Sequence, residues 1–281
     1  MTRGRDIAWA PEAALALKGV PVLVRPLARR KVEERVRGEG RAQVNLADFS
    51  AAEARFRAVM GGRSEKELAH LLPAANRPGA SLVVLESCRA KLSGCPNLLL
   101  DTDPWREALE GWLEENQVSE RLRAKVDGDQ VLFHHKLRLS LAGCPNGCSR
   151  PQIADLALVG TVSPAFDPDD CTACGACAAA CPDGAIAVSE AVIWDPASCL
   201  GCRECSQACP TGAVSLGPVR ARVLMGGKLG RHPHLAREVA TVDSPAQAVA
   251  LMGRAMDDYI ENAPQGERFA AWWASQHKEG E

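Results

Sequence analysis

Twelve cysteines are the residues of this chain best suited to chemistry. Cys144 and Cys148, separated by Pro145, Asn146 and Gly147, lie between an apolar run ending at Leu141 and another from Ile153 to Gly160. Such a loop turns tightly, presents backbone N–H groups and offers thiolates, as an iron–sulfur cluster requires. Two cysteines make half a ligand set. Cys88 and Cys95, which also follow a short apolar run (Ser81 to Glu86), are the expected other half.

The remaining eight cysteines repeat one pattern: Cys171, Cys174, Cys177 and Cys181 before Pro182, then Cys199, Cys202, Cys205 and Cys209 before Pro210. This C-x2-C-x2-C-x3-C-P spacing is that of bacterial two-cluster ferredoxins, in which the fourth cysteine of each run serves the other cluster. One cluster is therefore expected on Cys171, Cys174, Cys177 and Cys209, the other on Cys199, Cys202, Cys205 and Cys181. Zinc is the competing use of clustered cysteines, but two such runs, each closed by proline, weigh against it. Ile186 and Val188, and Val214 and Leu216, read as short strands beside the clusters. Residues 163–217 carry one Arg against seven Asp and Glu, an acidic surface that suits docking to a basic redox partner or keeps the segment soluble.

Length and charge bound the rest. A chain of 281 residues holds about two domains with cores of their own, and a net charge of -2 argues against a general nucleic-acid binder. No run approaches the ~18 apolar residues of a membrane span, and the N-terminus lacks the apolar core of a signal peptide. The expectation is a cytoplasmic protein, where thiols stay reduced and clustered cysteines mean metal rather than disulfides.

Helices and strands must position these thiols. Arg25 and Pro26 open a helix with Ala28, Val32 and Val36 on one face, ending at Gly38 and Gly40. A second is expected from Ser50, where Ser50 and Glu53 fit a capping box, to Gly61 and Gly62. Arg29, Arg30, Lys31, Arg35 and Arg37 read as a solvated helix face. Residues 61–80, broken by Pro73, Pro78 and Gly79, read as a linker. Asp103 as N-cap and Pro104 after it start a helix whose stripe of Trp105, Leu109, Trp112 and Leu113 belongs to a core. Val131 to Leu141 reads as one strand, with Leu137, Leu139 and Leu141 alternating against Lys136, Arg138 and Ser140. His134 and His135 are then ordinary strand residues, and His232 and His234 flank Pro233 in a loop. Val219 to Met225 forms another strand, followed by Gly226, Gly227 and Lys228, a short motif able to offer N–H groups and a cation to an anion. Ser244 caps a last helix, with Pro245 first and Gln247 third, running to about Tyr259; Trp272 and Trp273 pack on the body.

Taken together, Leu141 to Gly160 resembles the core signature of sirohaem-dependent sulfite and nitrite reductases, especially the dissimilatory and anaerobic types. Cys88 to Cys95, followed by Asp101 and Thr102, is similar to that family's first cysteine pair. The ferredoxin-like segment sits just after Gly160, where those types carry an insertion, and Val223 to Pro233 resembles their closing segment. The resemblance covers about 81–276. It implies a [4Fe–4S] cluster on Cys88, Cys95, Cys144 and Cys148, with Cys148 also bridging to a sirohaem iron. Gly147 would leave room for the flat macrocycle. Arg150, Lys228 and Arg231 would face its carboxylates. Two departures stand out. The Cys88–Cys95 spacing is one residue longer than the family's usual one. A full enzyme also carries an earlier repeat that supplies much of the sirohaem pocket and several anion-binding Arg and Lys. That half is replaced here by a helical module. From Trp9 through Arg25 and Arg29 to Glu33 or Glu34, the module resembles the small C-terminal domain of a light-independent protochlorophyllide reductase subunit.

The expected fold is α+β: a helical module at 1–62, a mixed α/β sirohaem/4Fe-4S domain at 78–162 and 218–276, and an inserted two-cluster ferredoxin module at 163–217. The resemblance implies an iron–sulfur oxidoreductase with three [4Fe–4S] clusters and a sirohaem, reducing sulfite or nitrite with electrons from another redox protein. Its anion-binding side chains would come from Lys136, Arg138, Arg150, Lys228 and Arg231. The alternative is a non-catalytic three-cluster electron-transfer subunit without sirohaem. Either fits a homodimer or a hetero-oligomer.

Overall fold

Val32 and Val36, one helical turn apart and both buried, anchor the helix that the sequence predicts from Arg25. The computed structural model describes residues 7–20, 25–60 and 74–277, and the chain divides into two units, Met1–Ala69 and His70–Glu281. In the first unit, β1 (Ala8–Trp9) precedes α1 (Pro11–Lys18) and α2 (Arg25–Gly38), and β2 (Gln43–Val44) pairs with β1 in parallel before α3 (Leu46–Met60). Ile7, Ala13, Val32, Val36 and Val44 form its core. The basic face of α2 is solvated as expected and laced by ion pairs one turn apart: Arg29–Glu33, Arg30–Glu34 and Arg35–Glu39.

Helix α3 starts four residues before the expected Ser50. The reciprocal cap is made by Asn45 and Asp48: the Asp48 N–H donates to Asn45 Oδ1 at 3.0 Å and the Asn45 N–H to Asp48 Oδ2 at 2.9 Å. The earlier start puts Phe49 in the first turns of the helix, where it is buried. The expected stop at Gly61 and Gly62 and most of the expected linker lie outside the described residues. The remainder of that linker includes β3 (Ala74–Ala75).

The second unit continues with β4 (Val83–Ser87), the single turn α4 (Ala90–Ser93), α5 (Asp103–Glu115), α6 (Val118–Arg123) and β5 (Gln130–Val131), which pairs with β3. Then follow β6 (Leu137–Ala142), β7 (Leu156–Thr161), β8 (Pro164–Phe166), α7 (Ala176–Ala180), β9 (Ile186–Val188), β10 (Val192–Trp194), α8 (Glu204–Ala208) and β11 (Val214–Leu216). The unit closes with β12 (Arg220–Met225), β13 (Arg237–Val242), α9 (Pro245–Asn262) and α10 (Phe269–Gln276).

Five strands form one mixed sheet in the order β13-β12-β7-β6-β4, with β4, β6 and β7 parallel and β12 antiparallel to both its neighbours. Its two faces differ in composition. Leu137, Leu139, Leu141, Leu156, Leu158, Val223 and Met225 face the main core with Trp105, Leu109, Met252, Met256, Phe269 and Trp272. On the opposite face Ala142, Ala157, Val159 and Leu224 form a thinner layer with Ala154. The expected single strand from Val131 to Leu141 is broken. Phe133–His135 forms a 3-10 turn, so His134 and His135 are not strand residues, and Lys136 is buried rather than on a polar face. Helix α5 begins at Asp103, which places the cap one residue earlier, at Thr102. Ser244 caps α9 as expected, with Oγ accepting from the Gln247 N–H at 3.4 Å, but the helix runs on to Asn262.

Candidate iron–sulfur centres

Cys88 follows β4 and Cys144 follows β6, two parallel neighbours in register from Val83↔Leu137 to Ser87↔Leu141. Both loops therefore leave the same end of the sheet, the carboxyl end where open α/β sheets place their ligands. One more ladder bond, Cys88 N–H to Leu141 O at 2.8 Å, brings the first thiol beside the second loop. The turn α4 folds the chain back, with Cys95 N–H donating to Ala90 O at 2.9 Å. Lys91 ties this turn to the head of α5 through Asp101 at 2.8 Å and Asp103 at 2.9 Å, and the paired carboxylates raise its proton affinity.

Gly143 lies at the junction. Its carbonyl accepts from the N–H groups of Leu99 at 3.1 Å and Leu100 at 2.9 Å. A Cβ there would lie 2.7 Å from Leu98 Cδ1, 3.0 Å from Leu100 O and 3.7 Å from Cys88 Sγ, so the close approach of the two loops requires glycine.

The four thiols act on one another. Burial pushes the Cys144 thiol above its ordinary value, and Cys88, Cys148 and Cys95 push it in the same direction. Iron relieves such a set, because it binds the thiolates and neutralises their charge. Behind the loop, Ser140 Oγ donates to Ser149 O at 2.8 Å and Ser149 Oγ to Leu141 O at 2.9 Å, fastening the return segment to β6. Cys148 is exposed, whereas Cys88, Cys95 and Cys144 are half-buried.

The other eight cysteines fall into two neighbourhoods. One cavity is lined by Cys171, Cys174, Cys177 and Cys209 together with Phe166, Val188, Val192 and Val214. Burial raises the Cys177 thiol, with Cys171 and Cys209 adding to the effect. Burial likewise raises Cys202, to which Cys181 is a charged neighbour, and pushes Cys205 up to about 11 beside Cys202 and Cys199. Cys209 is held low by a hydrogen bond with Thr211, at 3.6 Å, and by surrounding backbone N–H groups. The expected strands at Ile186–Val188 and Val214–Leu216 are β9 and β11. Among the described residues no three Cys, His, Asp or Glu side chains converge on a point suited to one metal ion. The thiols of Cys171, Cys174, Cys177 and Cys209, set around a cavity, suit a polynuclear cluster better than Zn2+, and each of the other two sets supplies four free cysteines to such a group.

The basic candidates separate. Arg150, which has a positive φ of 60°, pairs with Glu86 at 3.3 Å near the end of β4, and so belongs to the cysteine site. Lys136 and Arg138 do not. Arg138 stands at the start of β6, roughly 20 Å from Cys144 at the usual rise per strand residue, and Lys136 directly precedes the strand, farther still. Lys136 is buried, which lowers its proton affinity, and it lines a separate cavity of about 280 Å³ with His134, His135, Asp155 and Arg268. The Arg138 N–H donates to Asp155 Oδ2 at 2.8 Å, and its guanidinium lies over the Phe133 ring. Burial pushes the Asp155 carboxyl up to about 6.

In the Gly226–Lys228 loop two of the three backbone N–H groups are already engaged. The Gly226 N–H is taken by Asp155 O at 2.7 Å and that of Lys228 by His234 O at 3.0 Å. Arg231 is exposed between Lys228 and His234. Beside Gly147 lies the amide end of the Gln152 side chain, 2.7 Å from where a Cβ would stand. Cys148 is exposed, and neither the cavity at Cys171 nor that at Lys136 includes it. Sequence reasoning missed Glu86 and Gly143. The glycine directly before Cys144 was the available signal.

A family model described as the nitrite and sulphite reductase 4Fe-4S domain matches residues 86–275, and one described as the proto-chlorophyllide reductase 57 kD subunit matches residues 9–53. The coenzyme F420-dependent sulfite reductase of Methanocaldococcus jannaschii is 40% identical over 52 residues, 18% of this chain and 8% of that protein. A subunit of the anaerobic sulfite reductase of Salmonella typhimurium is 38% identical over 52 residues, 18% of this chain and 15% of that subunit. The aligned stretch thus spans at most 15% of either relative. The solved structure of dissimilatory sulfite reductase I has a TM-score of 0.44 and 19% identity, covering 66% of this chain and 48% of that one. No helix among the described residues is long and apolar enough to cross a membrane.

Proposed function

The chain belongs to the nitrite and sulphite reductase 4Fe-4S domain family, and from that premise we propose that it is a three-cluster redox protein of sulfite or nitrite reduction. The observation that carries this reading is the convergence of the Cys88–Cys95 and Cys144–Cys148 loops at one end of β4 and β6. Bound clusters supply low-potential one-electron carriers, and a sirohaem at Cys148 would supply the iron for a multi-electron reduction of sulfite or nitrite. The chain's own residues do the rest. The Ser140–Ser149 pair and Gly143 hold the four thiols in place, exposed Cys148 faces outward, and Arg150 stands beside it as a cation for a carboxylate or a small anion. Lys228 and Arg231 are more distant candidates for the same role.

We assign residues 78–162 and 218–276 to the reductase-type domain, 163–217 to the ferredoxin module and 1–62 to the accessory module. The names of the relatives support a chain that works within a larger sulfite reductase, with a redox protein as electron donor. A second reading is an electron-transfer subunit without sirohaem, in which the Gln152 amide beside Gly147 keeps its place.

One preparation separates the two. Protein made anaerobically in a host that synthesises sirohaem is assayed for iron and sulfide and extracted with acid acetone. About twelve irons with a tetrapyrrole support the reductase. The same iron without tetrapyrrole supports the subunit. About eight irons would mean that the Cys88, Cys95, Cys144 and Cys148 set is not a cluster site.

A further inference from the structure

The two ferredoxin-type cysteine runs are copies of one motif, so they can be compared position by position. Ala173 in the first run corresponds to Gly201 in the second, and Gly175 to Arg203. All four have positive φ: 49° at Ala173, 79° at Gly175, 71° at Gly201 and 70° at Arg203. The copies thus share a backbone path, and glycine has changed places within it.

The reason for the exchange is the surroundings. A Cβ at Gly175 would meet nothing within 4 Å. One at Gly201 would overlap Thr161 Oγ1 and Val162 O and lie 2.9 Å from Val162 N, so the second run is pressed against the end of β7. Two hydrogen bonds fasten it there: Thr161 Oγ1 donates to Leu200 O at 3.1 Å, and the Val162 N–H to Gly201 O at 3.2 Å. Arg203 then takes the left-handed position that glycine occupies in the first run, a conformation unfavourable for a long side chain. Its guanidinium Nη2 donates to the carbonyl of Pro96, the residue after Cys95. A strained residue kept at such a position points to a task for its side chain.

We propose that Arg203 is a positioning residue that clamps the second cysteine run onto the Cys95–Pro96 loop. This makes the Cys199, Cys202, Cys205 and Cys181 set the neighbour of the Cys88, Cys95, Cys144 and Cys148 set. The Cys171, Cys174, Cys177 and Cys209 set is left as the outer one, turned toward an external redox partner. The proposal rests on the reading of all three sets as cluster sites.

The test is Arg203→Gly in the full chain with its clusters in place, since glycine removes the guanidinium and suits the backbone. A hydrogen bond from a charged donor is worth enough to change the ratio of fastened to released loop by roughly tenfold or more. Amide exchange at Val162 should accelerate by about that factor. In dithionite-reduced protein, the spin–spin interaction between the second-run cluster and the sheet-borne cluster should weaken, with iron content unchanged. Arg203→Lys, which keeps a cationic donor, should restore part of both signals. Unchanged exchange at Val162 together with unchanged interaction in Arg203→Gly overturns the clamp. So does an interaction with the sheet-borne cluster that disappears in Cys174→Ser, which would make the first run the neighbour. If wild-type protein holds only about eight irons, the functional reading fails, while exchange at Val162 still decides the role of Arg203.

Discussion

Gly143→Ala tests the close approach on which the cysteine site depends. Gly143 has no positive φ, so alanine is acceptable to the backbone and any cost comes from packing. The new methyl would meet Leu98 Cδ1 at 2.7 Å, which can swing away, and Leu100 O at 3.0 Å, which cannot move without disturbing two hydrogen bonds to the Gly143 carbonyl. Overpacking of this kind costs about 1–3 kcal/mol, a fall in Tm on the order of 2–10 °C for a domain of this size. Because the displaced loop carries Cys95 and the methyl also touches Cys88 Sγ, iron should fall from about twelve toward eight per chain. Gly111→Ala is the matched control. Gly111 lies within α5, and a methyl added there would meet nothing within 4 Å, so alanine should stabilise by about 0.5–1 kcal/mol and leave the iron unchanged. Differential scanning calorimetry and iron analysis on the pair decide the matter. A Gly143→Ala protein with wild-type Tm and full iron would refute the argument that these loops meet at van der Waals distance.

Further outcomes follow from other contacts. Cys181→Ser should alter the EPR signal of the cluster on Cys199, Cys202 and Cys205 and spare that on Cys171, Cys174 and Cys177; the opposite pattern would contradict the crossed assignment. Arg150→Ala should leave the cluster count intact and change stability by less than about 1 kcal/mol, because its pair with Glu86 is exposed, while lowering the tetrapyrrole retained on purification. Asp48→Ala should cost about 1 kcal/mol by removing the return half of the reciprocal cap of α3, the bond to the Asn45 N–H, measured as faster amide exchange at Asn45. Arg41 holds the Asp48 carboxyl below its ordinary range, so this contribution is present above the usual carboxylate pKa and lost as pH falls through the lowered value. An Asp48→Ala protein should therefore show a shallower loss of exchange protection on acidification than wild type.

Much of the site was legible because cluster ligands are constrained by local spacing. The ferredoxin runs, the apolar strands before Cys88 and Cys144, and the cap at Ser244 are all set within a few residues. What was not legible depends on distant parts of the chain. The strand through Val131 to Leu141 looks continuous by alternation, but its start is turned aside at Phe133, while β5 pairs with β3, more than fifty residues earlier. Lys136 and Arg138 alternate correctly with leucines, yet only strand direction reveals that they stand at the end away from the thiols. Asn45 and Asp48 satisfy the same capping rule as Ser50 and Glu53, and burial of Phe49 favours the earlier pair. The glycine exchange between the cysteine runs was visible in the sequence, but its meaning required knowing what lies against Gly201.

The segment with the two four-cysteine runs leaves the sheet at Thr161 and re-enters at Arg220, and these two residues are register partners on adjacent antiparallel strands. Topologically the whole segment is therefore the connection of a β-hairpin. Its stem continues past the sheet, since Pro164, Ala165 and Phe166 of β8 pair with Leu216, Ser215 and Val214 of β11. Loop-closure entropy grows only with the logarithm of length, so a connection of this size costs the sheet only about 3 kcal/mol more than a tight turn. The sheet can consequently fold around either a short or a long connection. Replacing residues 163–217 by a two-residue turn should yield a shortened chain that keeps the Cys88–Cys148 centre, and the same junction should accept a different electron carrier whose termini lie a strand spacing apart.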